Sequence, residues 1–395
     1  MAAADTPAPG FWRCLRREWP VLLQPAEQAG LLWLPLAGVV ILAAIFARSV
    51  ITDLPIAVID QDATATSRQL VRWLDATPGL RVVARPVTPQ DGWAALRRGD
   101  VYAVVQVPRD LARDLKQGRA ADVPAWYNAQ FLTASSTVAR DLQAAVTGFA
   151  TSVEAKGRLA RGETREIALL RLNPIGMQRT MLFNPQMNYG PFLVTALGVT
   201  VLHIAAMMAA VRAIGRELRD GTAPDWLASA GGSRGLALAG KLAVPFGLHL
   251  SLGLGMLAFW HGVVGWPIRG NGALLALALV AMIAAYYALG ATFVLVTSNY
   301  RLASGAAAFF TAPALAFAGI TFPLDAMPGP AWAWGRFLPL TSYLQLQVEQ
   351  TARGASVASS LPGLFALLAY VLAGTILAFA LLPRRARNPA DWGHR

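Results

Sequence analysis

Six long stretches without a charged residue constrain this chain more than any other feature. Each contains at least 20 residues and no Asp, Glu, Lys or Arg. A helix of about 20 apolar residues spans the hydrocarbon core of a bilayer. The charged fraction of 14% is also well below the ~25% of a soluble protein. The sequence therefore predicts an α-helical membrane protein with six transmembrane helices, near residues 29–47, 191–211, 242–261, 273–297, 303–321 and 361–382.

The positive charges predict how these helices are oriented. The net charge is +12, from 34 basic and 22 acidic residues, and the basic residues flank the apolar stretches instead of forming one patch. This pattern argues against a nucleic-acid partner and makes the lipid membrane the expected one. If the N-terminus lies inside, the short inner segments hold 13 Lys and Arg, whereas the short outer loops hold three. We therefore expect a multi-pass protein of the bacterial inner membrane with both termini, including the tail 383–395, in the cytoplasm.

Residues 1–28 are predicted to form a cytoplasmic amphipathic helix before transmembrane helix 1, which we assign to residues 29–48. Phe11, Leu15, Trp19 and Leu22 recur at helical spacing with arginines between them. A basic amphipathic helix of this kind lies on the inner membrane surface. The alternative is a disordered cytoplasmic tail.

Residues 49–190 are predicted to form an extracytoplasmic, periplasmic domain inserted between helices 1 and 2. They hold 17 of the 34 basic and 13 of the 22 acidic residues, as a water-exposed segment would. Strand-like segments alternate with helical ones, which predicts an α/β fold. The strands are expected near 55–60, 80–87, 101–107 and 123–128, and the helices near 63–76, 89–98, 108–117 and 132–161.

Two segments resemble catalytic or nucleotide-binding motifs but lack the context that these motifs need. Residues 231–235 match G-x-S-x-G, yet they lie in a predicted cytoplasmic turn and not between a strand and a helix. Residues 235–242 resemble a phosphate-binding loop, but Leu242 stands where Ser or Thr would hold magnesium. With one cysteine and four histidines, we predict no catalytic residue, no metal site and no cofactor bound by this chain.

His203 and His249 are candidate intramembrane polar sites. A polar side chain within a span is a functional candidate by default. A neutral histidine that is hydrogen-bonded to a neighbouring helix explains each of them equally well.

The predicted transmembrane helices contain no Asp, Glu, Lys or Arg. Transporters driven by protons or sodium ions usually need such groups at mid-membrane. A transporter of this composition would therefore take its energy from a partner ATPase, through the cytoplasmic loop 212–241. In that loop Thr222 and Asp225 suggest a capping box, and Trp226 and Leu227 suggest an apolar tip for a partner. A plain solvated loop is the alternative.

At this loop the chain resembles the membrane subunit of ABC-2 type exporters, in the multidrug-export permease branch. Gly215–Thr222 is similar to the Gly-Arg-Glu-Arg-x-x-Gly-Thr stretch of that family, with Leu218 where Arg is common. Ala223-Pro224 departs from the helix-forming residues usual after Gly-Thr. Three further segments, 54–69, 183–191 and 322–341, resemble family segments in the same order.

The resemblance implies a permease subunit that exports an amphipathic or hydrophobic, drug-like or lipid-like molecule. It implies a second permease subunit, as homodimer or heterodimer, and ABC ATPase subunits that bind ATP and Mg²⁺. It also implies an outer re-entrant loop at 322–360 within the region 191–382 and, in Gram-negative relatives, a periplasmic adaptor of the membrane-fusion type. The residues expected to couple the chain to the ATPase are Arg216, Glu217, Arg219, Gly221, Thr222, Asp225 and Trp226.

The sequence is also compatible with a different class of function. The chain could be a membrane-anchored scaffold or binding protein whose extracytoplasmic domain recruits a partner without transport.

Overall fold

The chain folds into two compact units, which are described separately. A computed structural model describes residues 8–46, 50–162, 164, 182–388, 390 and 393. One unit comprises Met1–Ala47 and Leu182–Arg395, and the other comprises Arg48–Met181.

The first unit contains the long apolar helices. Among the described residues, five helices are long and apolar enough to cross a membrane. Three of them include a π-helical turn, at Ala29–Trp33, Gly190–Val194 and Phe259–Val263. We call the five the first, second, third, fourth and last span helices, and their bounds are Pro25–Ile45, Gly190–Arg219, Arg234–Val263, Gly272–Thr297 and Val357–Arg387.

The segment predicted as a single helix at 303–321 is broken in the structure. One helix ends at Thr311, and a short helix follows at Ala314–Phe317. Pro313 lies between them and has no backbone N–H to donate, so it cannot continue the helical ladder. The uncharged stretch therefore holds two short helices, and the single long helix expected there was wrong.

Short helices occupy the segment between this break and the last span helix. Proline stands within the first turn of the two longer ones, as Pro330 and Pro339, where its fixed φ suits a helix start. The remaining elements of this unit are Phe11–Leu22, Tyr300–Thr311, Ala223–Ser229, Leu324–Ala326, Gly329–Phe337, Pro339–Val348 and Glu349–Arg353.

The fourth span helix is central to the packing of this unit. It lies against the second and the last span helices, and small residues let the backbones approach. A Cβ atom at Gly290 would lie 2.6 Å from the carbonyl oxygen of Met207, and one at Gly374 would lie 2.9 Å from the Cβ of Ala288. Small residues at such crossings are typical of membrane helices, whose association depends on close packing.

The N-terminal helix, Phe11–Leu22, docks on the rest of its unit through a face that the sequence analysis did not identify. Cys14 and Glu18 are buried, whereas Trp12 and Trp19 are 67% and 54% exposed. The contact with the protein is therefore made by Cys14 and Glu18, and the predicted contact of Trp19 with the membrane surface stays a prediction. At the contact, a Cβ at Gly240 would lie 2.7 Å from the Cβ of Cys14.

The second unit is built on a four-stranded sheet of order β2-β1-β3-β4. β1 pairs in parallel with β2 and β3, and β3 pairs antiparallel with β4. Parallel neighbours need crossover connections, and helices provide them. The strands β1 to β4 are Leu54–Asp60, Leu80–Ala84, Ala103–Val107 and Ala125–Tyr127, and the helices are Ala65–Asp75, Pro89–Arg98, Leu111–Lys116 and Leu132–Ala160.

Both faces of this sheet are covered. Ile56 and Val58 contribute to the core beneath the helices at 65–75, 111–116 and 132–160. Ala57 and Ile59 contribute to a smaller core with Ala95, on the helix at 89–98. Because side chains alternate along a strand, one apolar strand can serve both cores.

Candidate functional site

The loop between the second and third span helices is built by glycines with left-handed backbone. Gly221, at φ 70°, ends the second span helix, and the amide of Thr222 donates to the carbonyl of Glu217 at 2.9 Å. This pattern is a Schellman cap, which needs a residue without a side chain at the left-handed position. A short helix, Ala223–Ser229, follows, which we call the loop helix. Ser233 then caps the third span helix by accepting from the amide of Leu236.

A cluster of buried charges lies beside this loop. The ammonium of Lys241 contacts Glu18 Oε1 at 2.5 Å and Glu217 Oε1 at 2.7 Å. Arg216 contacts Glu18 Oε2 at 2.9 Å, and Arg17 contacts Glu217 Oε2 at 2.9 Å. Lys241, Glu18 and Glu217 are 1%, 2% and 4% exposed, so each charge depends on its protein partners in place of water.

Glu27 extends these contacts to the first span helix. It contacts Arg216 at 3.3 Å and Arg212 at 3.7 Å. Four cations thus face three carboxylates. We call this set the buried ion cluster, and its members are Arg17, Glu18, Glu27, Arg212, Arg216, Glu217 and Lys241.

The buried ion cluster joins four elements of the chain. It includes residues of the N-terminal helix and of the first, second and third span helices. Removing one partner from a buried ion pair leaves an uncompensated charge and costs roughly 3–5 kcal/mol. The ends of these four elements are therefore expected to move together.

Trp226 does not form the exposed apolar tip that the sequence suggested. It is fully buried, and Leu227 is 6% exposed. The indole Nε1–H donates to the carbonyl of Ala237 at 3.1 Å, and the Lys241 ammonium lies 5.3 Å from the centroid of its ring. Burial of the tryptophan beside the ion cluster fixes the loop helix to the third span helix.

Thr222 and Asp225 do not form the predicted capping box. Thr222 makes no side-chain cap hydrogen bond to the loop helix. Its hydroxyl donates instead to Glu217 Oε2 at 2.6 Å. A buried carboxylate needs donors more than an exposed helix end does, so Glu217 takes this hydroxyl. Asp225 is left exposed on the loop helix.

Arg219 lies outside the buried ion cluster, on the partly exposed side of the loop. It pairs with its neighbour Asp220 at 2.7 Å, and its guanidinium lies 5.8 Å from the ring centroid of Tyr300. Tyr300 also explains why residue 215 is a glycine, because a Cβ atom at position 215 would lie 2.6 Å from the ring of Tyr300. Of the predicted coupling residues, Arg216, Glu217, Thr222 and Trp226 are thus brought together inside, and Arg219 and Asp225 face outward.

The two span histidines lie apart from the buried ion cluster, and their surroundings differ. His249 Nδ1 lies 2.8 Å from the hydroxyl of Tyr287, and Nε2 lies 2.9 Å from the carbonyl of Leu31. It is therefore a buried histidine that bridges two other span helices. The ring centroid of His203 lies 4.6 Å from that of Tyr286, with the two rings tilted at 51°, and among the described residues neither of its ring nitrogens has a partner with hydrogen-bond geometry.

The segment that resembles a phosphate-binding loop is helical. Residues 235–242 lie within Arg234–Ala258, where backbone amides are used by the helix after its first turn. Lys241, which would reach a phosphate in such a loop, is enclosed by Glu18 and Glu217. These residues therefore do not fit a nucleotide phosphate. Within the described ranges no group of three His, Cys, Asp or Glu side chains is placed to hold a metal ion.

The sequence analysis missed five members of the site, which are Arg17, Glu18, Glu27, Arg212 and Lys241. One signal was available, because Glu18 is an acidic residue within an otherwise basic helix. Cys14, one turn earlier, is also buried, and this burial raises the pKa of its thiol. A buried cysteine and a buried glutamate at i and i+4 mark the docking face of the N-terminal helix.

Comparison with known proteins agrees with this architecture. The model of a family described as ABC-2 family transporter protein matches residues 29–380, which is most of the chain. No curated protein matches the sequence.

Proposed function

The chain belongs to the ABC-2 family of transporter proteins, and from this premise we propose that it is the permease subunit of an ATP-driven exporter. Membership of the family makes it a membrane component of a transporter. The ATPase partner, the outward direction and the substrate belong to the proposal.

The observation that carries the proposal is the placement of the charges. In the described span helices, Asp, Glu, Lys and Arg occur only near one end, and the fourth span helix has none of them. Transporters driven by protons or sodium ions usually need such charged groups at mid-membrane. The charges are instead gathered where the loop helix and the N-terminal helix meet the span helices, which suits a protein that receives mechanical work from a partner.

We infer that the exposed residues of the loop bind the ATPase and that its buried residues transmit the movement. Asp220 and Asp225 are exposed and would contact the partner ATPase, which binds the ATP and Mg²⁺. Trp226 and the buried ion cluster would transmit the displacement, since the loop helix cannot shift alone without separating buried charges. The second and third span helices would then move with it.

The wider architecture of the proposed exporter follows the sequence predictions. Two permease subunits, identical or different, would enclose the path of an amphipathic or hydrophobic molecule. Both termini would lie in the cytoplasm of a bacterial cell, with residues 49–190 on the periplasmic side and available to an adaptor. The chain would cross the inner membrane six times, with the two short helices after Asn299 as one crossing.

Co-purification tests the proposal. The tagged chain is extracted from native membrane, and mass spectrometry identifies what accompanies it. We expect a stoichiometric P-loop ATPase, and we expect Asp225→Arg to reduce its recovery about tenfold or more, because a misplaced charge at an interface costs several kcal/mol. Asp325→Arg is the matched control, because Asp325 is also exposed but lies on the proposed outer side. Recovery of the chain without any ATPase, from preparations that keep its fold, would contradict the proposal and favour the scaffold hypothesis.

A second variant separates docking from transmission. Glu217→Gln should keep the ATPase bound, because Glu217 is buried, but substrate should no longer stimulate ATP hydrolysis. Loss of the ATPase itself from this variant would mean that the buried ion cluster serves binding and not transmission.

A further inference from the structure

An apolar groove runs between the third and the last span helices. Both helices pack on the fourth span helix but contact each other only sparsely. The space between them is a cavity of about 350 Å³, within the ~300–1,000 Å³ of ordinary ligand sites. No charged side chain lines it, and its polar groups are limited to those of Tyr287 and Thr375.

Small residues create this groove. Ala284, Ala288 and Ala291 of the fourth span helix form its floor, and they lie on one face because they are spaced by four and three residues. Gly235 and Ala239 open the wall on the third span helix. Both belong to the segment that resembles a phosphate-binding loop, so its small residues shape a groove in the membrane unit.

A single arginine stands at one end of the groove. Arg234 precedes Gly235, and its guanidinium lies 5.1 Å from the ring centroid of Phe379, which also lines the groove. One nitrogen contacts the carbonyl of Phe379 at 3.4 Å. Arg234 is exposed, and among the described residues no carboxylate forms an ion pair with it. Most of its five N–H donors are therefore available to an anion.

We propose that this groove binds a membrane phospholipid, with one acyl chain along the alanine floor and the phosphate at Arg234. The site has the polarity of an amphiphile, with an apolar body and one cation at its end. Its side is open, since Ala239 and Phe379 are exposed on helices that the bilayer would surround. Arginine matches phosphate oxygens with paired donors. The inference does not depend on transport, because a lipid could occupy the groove whether or not it is moved.

Photo-crosslinking in lipid nanodiscs tests the proposal on the full chain. The probes are phosphatidylglycerol and phosphatidylcholine that carry the same diazirine-labelled acyl chain, and peptide mapping locates the products. We expect crosslinks to concentrate on the groove, on the third and last span helices, with both probes. Arg234→Gln should reduce them about fivefold, the effect of one basic residue at an anionic lipid surface, and Arg301→Gln, at another exposed arginine, should not.

A variant that fills the groove provides a second test of lipid binding. Ala239→Phe should abolish the groove crosslinks, whereas Ala258→Phe, at an exposed alanine of the same helix outside the groove, should leave them. If Ala239→Phe disturbs the fold, which labelling of the buried Cys14 would reveal, Ala243→Phe replaces it. Crosslinks spread evenly over the span helices, or crosslinks unchanged by both Arg234→Gln and the filled groove, would each overturn the proposal.

Discussion

At the scale of single residues, Lys241 is the decisive side chain of the candidate site. Its ammonium is the only cation that contacts two buried carboxylates among the described residues, one from the N-terminal helix and one from the second span helix. Lys241 lies in a segment that resembles a phosphate-binding loop but lacks its Ser or Thr, and the contacts of Lys241 with the two carboxylates appear only in the folded chain. Glu18 lies 223 residues away in the chain, so no local pattern could have paired the two.

Replacement of Lys241 by Met should release the N-terminal helix. Glu18 and Glu217 would face each other without their shared counter-charge, at a cost of roughly 3–5 kcal/mol. Cys14 is the only cysteine and is buried, so its rate of maleimide labelling measures this release, and we expect the rate to rise about a hundredfold or more. Labelling as slow as in the wild type would show that the ion contacts do not hold the helix.

Two controls accompany this prediction. Lys116→Met makes the same change at an exposed lysine of the other unit and should leave the labelling rate unchanged. The double variant Lys241→Met, Glu217→Gln should label more slowly than Lys241→Met alone. In the double variant the second buried carboxylate is removed, and Glu18 still has Arg216 as its counter-charge. A double-mutant cycle measures this energetic coupling between Lys241 and Glu217.

At the scale of elements, the N-terminal helix has two functional faces. Cys14 and Glu18 face the protein, whereas Trp12, Arg16, Trp19 and Leu23 are exposed and recur at the spacing of one helical face. Tryptophan and arginine side by side are typical of a helix that lies in the headgroup region of a membrane. The first span helix begins at Pro25, so the bilayer surface is close in the chain.

The paired substitution Trp12→Ala, Trp19→Ala should therefore weaken the contact of this helix with lipid and leave its docking unchanged. A spin label at position 16 in bilayers should become more accessible to a water-soluble relaxation agent in the double variant, while Cys14 stays protected. The paired change Trp93→Ala, Trp126→Ala, at two tryptophans of the other unit that contact each other, should have neither effect. An unchanged accessibility would argue that the exposed stripe faces a protein partner or water.

At the scale of the whole molecule, the division into two units predicts that they can be separated. Residues on either side of the second unit lie close together in the first, because the rings of Phe46 and Tyr189 stack at 5.8 Å. Every member of the buried ion cluster also belongs to the first unit. A short glycine and serine linker in place of residues 48–181 should therefore leave that cluster intact.

This replacement also distinguishes the two classes of function. A permease should retain its ATPase partner and the protection of Cys14, although an adaptor that binds the outer domain would be lost. A scaffold should lose all of its partners. Co-purification of the shortened chain measures the difference, and a parallel chain with the linker inserted after residue 181 controls for the linker itself.

Properties that depend on neighbouring residues could be predicted from the sequence alone. Apolar length located the five span helices of the described residues, and the alternation of strands and helices between 54 and 160 agrees with the structure, since both patterns are local. The resemblance at Gly215–Thr222 to ABC-2 transporters is confirmed by the family match, while the multidrug branch stays a prediction. The break at Pro313 could not be predicted from the proline alone, because Pro20, Pro245, Pro362 and Pro383 all lie inside helices of this structure.

Which charges are paired and which surfaces are exposed depends on tertiary contacts, which the sequence did not predict. The residues around Trp226 predicted an exposed tip, yet packing buries Trp226 beside Lys241. Thr222 does not form the predicted capping box with Asp225, because its hydroxyl donates to the buried carboxylate of Glu217. Burial sets the cost of an unpaired charge, and burial depends on segments that are distant in the chain. The candidate site therefore had to be read from the folded molecule.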